Sequence, residues 1–102
     1  MAQHSIPGGY ASTSVTNKEV IAAAAFAIKA QEKKMPQKND GKTTKIELVK
    51  IWGAEQQVVA GMNYRLQLKI KVDGDENTAE AVVWWQAWRK SAPYQLTTWN
   101  WK

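Results

Sequence analysis

The spacing of hydrophobic residues changes once along the chain, from a helical period to a strand period. From residue 18 to about Lys34 the apolar residues recur at helical spacing and fill one broad face. Asn17 is the predicted N-cap and Glu19 lies in the first turn, where a carboxylate is favoured. Most of the apolar face is alanine, so we expect another element, such as a twisted sheet, to pack very close to this helix.

After Thr43 the apolar residues follow a period of two, which predicts β-strands. Leu66–Val72 alternates cleanly with polar residues, whereas the segment from Ile46 to Trp52 does so imperfectly. The third and fourth strands are predicted at Ala79–Trp85 and Gln95–Trp101. The fold class is therefore predicted as α+β, with one α-helix packed on a twisted antiparallel sheet of four to five strands.

Two turns of this sheet are apolar, although surface turns are usually polar. Consecutive hairpins alternate between the ends of a sheet, so the turns around Val58–Ala60 and Gln86–Trp88 share one end. The polar turn Asp73–Asn77 falls at the other end. Adjacent exposed apolar tips predict an interaction site.

Length and charge favour one domain with a solvated basic surface. The 102 residues are enough for a single domain. We predict a flexible N-terminal arm over residues 1–14, followed by this domain over residues 15–102. The net charge of +5 raises nucleic acid as a partner, and six tryptophans could stack on single-stranded bases. The lysines and tryptophans occupy different segments, however, and arginine occurs only as Arg65 and Arg89. A nucleic-acid binder therefore stays the alternative interpretation.

The composition argues against an enzyme and against a membrane protein. There is no cysteine, and the single histidine, His4, has no nucleophile or carboxylate at a telling spacing. We expect no cofactor and no metal site. No apolar run approaches the roughly 20 residues that cross a bilayer. No signal peptide is visible, which leaves the cytoplasm and secretion with a removed signal both open.

Three motifs in order resemble the cystatin family over essentially the whole chain. Gln57–Gly61 reads QVVAG, the QxVxG signature of that family, between the first two strands after the helix. Ala87-Trp88 aligns with the Pro-Trp pair of the second cystatin hairpin, and Gly8-Gly9 resembles the N-terminal glycine pair. In having no cysteine, the chain resembles the plant-type and stefin-like branches of that family.

The resemblance implies a reversible, non-covalent inhibitor of papain-like cysteine proteases. In cystatins the N-terminal arm and both hairpins enter the active-site cleft together, as a wedge. The implied protease-binding residues are Ile6, Pro7, Gly8, Gly9, Gln57, Val58, Val59, Ala60, Gly61, Ala87 and Trp88. A charge on such a tip would be costly inside a cleft, which agrees with the apolar turns.

Three positions depart from the family pattern or extend it. Ala87 stands where proline is usual, which leaves the second hairpin less rigid. Asn39 lies in the loop after the helix, where some cystatins carry a second site for legumain-type proteases, although a turn asparagine is the favoured interpretation. A valine at the position of Val59 is expected to be strained, and in cystatins it is linked to domain swapping. Monomer and domain-swapped dimer both stay open, as does a cystatin-fold scaffold that binds another partner.

Overall fold

In the computed structural model, which describes residues 9–35 and 44–102, one helix crosses a five-stranded antiparallel sheet. The strands follow chain order across the sheet, and the helix lies between the first two strands in sequence. This arrangement confirms the predicted fold class and meander. The elements are β1 (Tyr10–Ser12), α1 (Lys18–Lys34), β2 (Ile46–Val59), β3 (Gly61–Val72), β4 (Asp75–Trp85) and β5 (Tyr94–Trp101).

Helix α1 begins and packs as its sequence predicts. The Asn17 side-chain oxygen accepts a hydrogen bond from the backbone N–H of Glu19 at 2.8 Å, which satisfies one of the free donors of the first turn. Ala23, Ala24 and Ala27 are fully buried. Their small side chains let the helix lie close to the buried face of the sheet, to which β2, β3 and β4 contribute most of the buried residues.

Two irregularities explain the imperfect alternation in β2. The pairing of β2 with β3 shifts at Val49 and again at Trp52, so each is an extra residue on the β2 side. Ile46 and Ile51 are buried, whereas the Trp52 side chain is 57% exposed. A strict period of two from Ile46 would put Trp52 on the buried face, but the bulge at Val49 reverses the alternation between them.

Strands β4 and β5 differ from the prediction in extent and in register. Strand β4 starts at Asp75, so only residues 73 and 74 form the turn of the predicted Asp73–Asn77 segment. In β5 the pairing skips Thr97, because Val82 aligns with Thr98 and Val83 with Leu96. A strict period of two would put Leu96 and Thr98 on one face, but Leu96 is buried and Thr98 is exposed because of this bulge.

No helix within residues 9–35 and 44–102 is long and apolar enough to cross a membrane.

Candidate functional site

Both apolar turns and the start of β1 lie at one end of the sheet. Val59 pairs with Gly61 across the first turn, and Trp85 pairs with Tyr94 across the second. Tyr10 aligns with Gln57 in an antiparallel pair, so the chain preceding Tyr10 runs toward the tip of β2. We call this end, formed by Gly9, Val58–Gly61 and Ala87–Trp88, the hairpin end.

The first turn is tight, and its geometry requires glycine at position 61. Gly61 has a φ of +87°, and a Cβ there would collide with the backbone oxygen of Trp85 on β4. Val59 has no positive φ and, as the last residue of β2, still pairs with Gly61 of β3. The glycine thus takes the conformation that L side chains resist, and the strain expected at a tip valine is avoided.

Trp84 links the two turns. Its indole Nε1 donates a hydrogen bond to the backbone oxygen of Ala60, the tip residue of the first turn, at 2.7 Å. Its ring meets the ring of Trp88, from the second turn, edge to face at a centroid distance of 5.9 Å. The position of one tip therefore depends on the other.

The second turn is held by backbone hydrogen bonds around Gln86, which is 3% exposed. The Gln86 N–H donates to the Pro93 oxygen at 2.6 Å, and its own oxygen accepts from the Arg89 N–H at 3.0 Å. The second bond closes a four-residue turn in which Ala87 and Trp88 are the central residues. The turn presents the Trp88 side chain, 55% exposed, to solvent.

The first tip is apolar and uncharged, whereas the second is flanked by cations. Val58 and Val59 are 62% and 37% exposed. Below them, the Gln57 side-chain oxygen accepts a hydrogen bond from the Asn63 amide at 2.9 Å, which joins β2 to β3 at the base of the turn. Arg89 and Lys90 follow Trp88, and both are exposed.

The structure brings most of the residues implied by the resemblance to the hairpin end. Gly9, Val58–Gly61 and Ala87-Trp88 lie there, and Gln57 lies at the base of the first turn. Ile6, Pro7, Gly8 and Asn39 lie outside the described residues.

The contacts that Trp84 and Gln86 make at this end were not predicted from the sequence. Strand alternation predicts Trp84 and Trp85 on opposite faces, and Trp85 does pack on the core while Trp84 contacts the first tip. The extra role of Trp84 has no local signal, because its partner Ala60 lies 24 residues earlier. The burial of Gln86 has one signal in the sequence, which is its position between an apolar strand and Ala87.

The family comparison gives one match that spans most of the chain. Residues 13–100 match the SQAPI family model, described as aspartic acid proteinase inhibitor. The chain belongs to this family. A comparison with curated protein sequences gives no match.

Solved structures with the same fold include a cystatin. This cystatin-like chain superposes on Al-CPI with a TM-score of 0.71, 19% identity and coverage of 93% of this chain and 100% of that one. A salivary cystatin from the soft tick Ornithodoros moubata gives a TM-score of 0.70 at 22% identity, with 95% and 99% covered. One chain of the inhibitory complex of human meprin beta with mouse fetuin-B gives a TM-score of 0.69 at 19% identity. The match covers 92% of this chain and 35% of that one.

These findings confirm the resemblance to cystatins and the cystatin-like fold. The family is one of proteinase inhibitors, so the chain is grouped with protease inhibitors and not with enzymes.

Proposed function

We propose that this protein inhibits papain-like cysteine proteases reversibly, by inserting the hairpin end into the active-site cleft. The observation that carries the proposal is the intact QVVAG segment on an exposed, uncharged tip, hydrogen-bonded through Trp84 to the strand that leads to Trp88. In this arrangement Gly9, Val58–Gly61 and Trp88 all act at one end of the molecule.

A protease cleft binds apolar groups well when they arrive already in position, because little freedom is then lost on binding. Val58 and Val59 would lose water against the cleft walls, and Trp88 would supply a rigid aromatic anchor. Gly9 lacks a Cβ, so the arm could pass close to the catalytic cysteine. Protease–inhibitor interfaces of standard size support affinities of roughly nanomolar or better.

A second candidate target is an aspartic acid proteinase, which the family match favours. Such enzymes carry two catalytic carboxylates in the cleft. Arg89 and Lys90 beside Trp88 provide positive charge at the hairpin end that would suit an acidic cleft. The legumain-type site at Asn39 stays a prediction.

A parallel titration of papain and pepsin tests the proposal. Purified monomer is added to each protease, and residual activity is followed against a peptide substrate. We expect stoichiometric inhibition of papain. Inhibition of pepsin alone would transfer the proposal to the aspartic class, and inhibition of neither enzyme would contradict it.

Two charged variants and a matched control locate the inhibitory surface. Gly9→Arg and Val59→Arg should each weaken inhibition by more than about tenfold, because an unpaired cation would have to be dehydrated in the cleft. Asn77→Arg adds the same charge at an exposed position of the opposite end of the sheet. It should inhibit like the unmodified protein; equal losses in all three variants would contradict the proposed surface.

A further inference from the structure

Strand β1 holds the root of the N-terminal arm, yet it has only three residues. Tyr10, Ala11 and Ser12 align with Gln57, Gln56 and Glu55 of β2, and none of the three is fully buried. Strand β1 is also the edge of the sheet. An edge strand this short is weakly held by its backbone alone.

Arg65 of β3 reaches across β2 to the arm root. Its guanidinium carbon lies 4.1 Å from the centre of the Tyr10 ring, which is the geometry of a cation–π contact. Its Nε donates to the Glu55 carboxylate at 2.7 Å, and Glu55 aligns both with Arg65 and with Ser12. The three side chains form one cluster across β1, β2 and β3, which we call the arm clamp.

The arm clamp lies on the face of the sheet that points away from α1. Along β3, the neighbouring Tyr64 and Leu66 are buried, whereas Arg65 points to the opposite face. Tyr10 is partly buried there, and this burial raises its pKa while the positive charge of Arg65 lowers it. The clamp therefore restrains β1 from the face that the helix does not cover.

We infer that Arg65 is a positioning residue for inhibition, which holds Tyr10 on β2 so that Gly9 enters beside Val58. This inference rests on the proposed function, in which the arm acts together with the two turns. Without the clamp, β1 would separate from β2 more often, and binding would have to restrict the freed arm again.

Amide hydrogen exchange tests the clamp independently of any protease. In the full-length chain, Arg65→Ala should increase exchange at the Ala11 and Thr13 amides, which face β2, while the core amides of β3 and β4 keep their protection. Lys69→Ala is the matched control, because Lys69 lies on the same face of β3 and pairs with Glu76 at 3.7 Å, away from Tyr10. Unchanged exchange in β1 of Arg65→Ala would overturn the inference.

Inhibition kinetics with a double-mutant cycle test whether Arg65 acts through Tyr10. The protease is papain, or pepsin if the titration selects it. Arg65→Ala and Tyr10→Ala should each weaken inhibition by about fivefold, and the double variant should be no weaker than either single one. Tyr10→Phe keeps the ring and should retain full inhibition, as should Lys69→Ala.

The outcomes separate the clamp from the proposed function. If the unmodified protein inhibits and Arg65→Ala inhibits equally well, the positioning role is wrong while the proposed function stands. Additive losses in the double variant would also overturn it, because Arg65 would then act through another contact. If the unmodified protein inhibits neither protease, the proposed function fails, and the exchange experiment still decides whether the clamp holds β1.

Discussion

The first turn requires glycine at position 61. We expect Gly61→Ala to lower the free energy of unfolding by more than about 2 kcal/mol, since the new Cβ would meet both an unfavourable φ and the Trp85 oxygen. Gly74→Ala is the control, because Gly74 has a φ of +91° but no atom within 4 Å of the place that an added methyl group would take. Its cost should be about 1 kcal/mol.

Urea unfolding of both variants measures the difference. Equal losses at the two glycines would show that the collision with β4 has no energetic weight, which would contradict the close packing of the first turn on Trp85.

Trp84 carries the hydrogen bond that joins the first tip to β4. Trp84→Phe keeps an aromatic ring but removes the donor to Ala60, and we expect it to cost about 1 kcal/mol of stability and to weaken inhibition several-fold. Trp101→Phe changes an exposed tryptophan of β5 and should leave inhibition unchanged. Inhibition constants of the two variants test this, and equal inhibition by both would exclude a role for the Trp84 bond.

Among the elements of the fold, the second turn shows how alanine at position 87, where cystatins usually have proline, affects stability. Ala87 is the first central residue of a turn closed by the Arg89 N–H and the Gln86 oxygen, a position where the fixed φ of proline is favoured. We expect Ala87→Pro to raise the free energy of unfolding by about 0.5–1 kcal/mol and to strengthen inhibition. Thermal unfolding and inhibition kinetics measure both effects. A destabilised Ala87→Pro variant would show that this turn cannot accept the proline φ.

Helix α1 and the order of the strands could be predicted because their signals are local and repeated. Asn17, the alanine face and the alternation in Leu66–Val72 each give the element type directly. The bulges at Val49 and Trp52 could not be predicted, because an extra residue is defined only by pairing with β3. The same holds for β1, whose three residues show no period of their own.

Across the whole molecule, the candidate site also has residues that the sequence predicts and contacts that it does not. The QVVAG segment and Trp88 could be found from sequence, since they lie in motifs with fixed order and topology places both turns at one end. The contacts of Trp84 with Ala60 and of Arg65 with Tyr10 could not, because they join residues far apart in the chain. These contacts depend on the sheet register, which the bulges alter.

Stability at high pH is a property of the whole fold, since three tyrosines on different strands share one behaviour. Burial raises the pKa of Tyr10, Tyr64 and Tyr94 above the usual value of 10.0, and the Glu19 carboxylate adds to the effect at the last two. A raised folded-state pKa gives stability that is present below pH 10 and is lost as pH rises through the raised values. We therefore expect the free energy of unfolding to fall as the pH rises above about 10.

Denaturant unfolding across that range checks the direction. Tyr64→Phe should reduce the fall, because Tyr64 is the most buried of the three, at 4% exposed. An equally steep fall in Tyr64→Phe would assign the pH dependence to other groups.

The central claim is that the hairpin end of the sheet enters a protease active site. The most direct test is the hydrogen-exchange footprint of this protein in complex with the protease that it inhibits in the titration. We expect new protection at Val58–Gly61 and Ala87–Arg89, and none at the opposite turn, Val72–Asn77. Protection confined to α1 or to that opposite turn would contradict it.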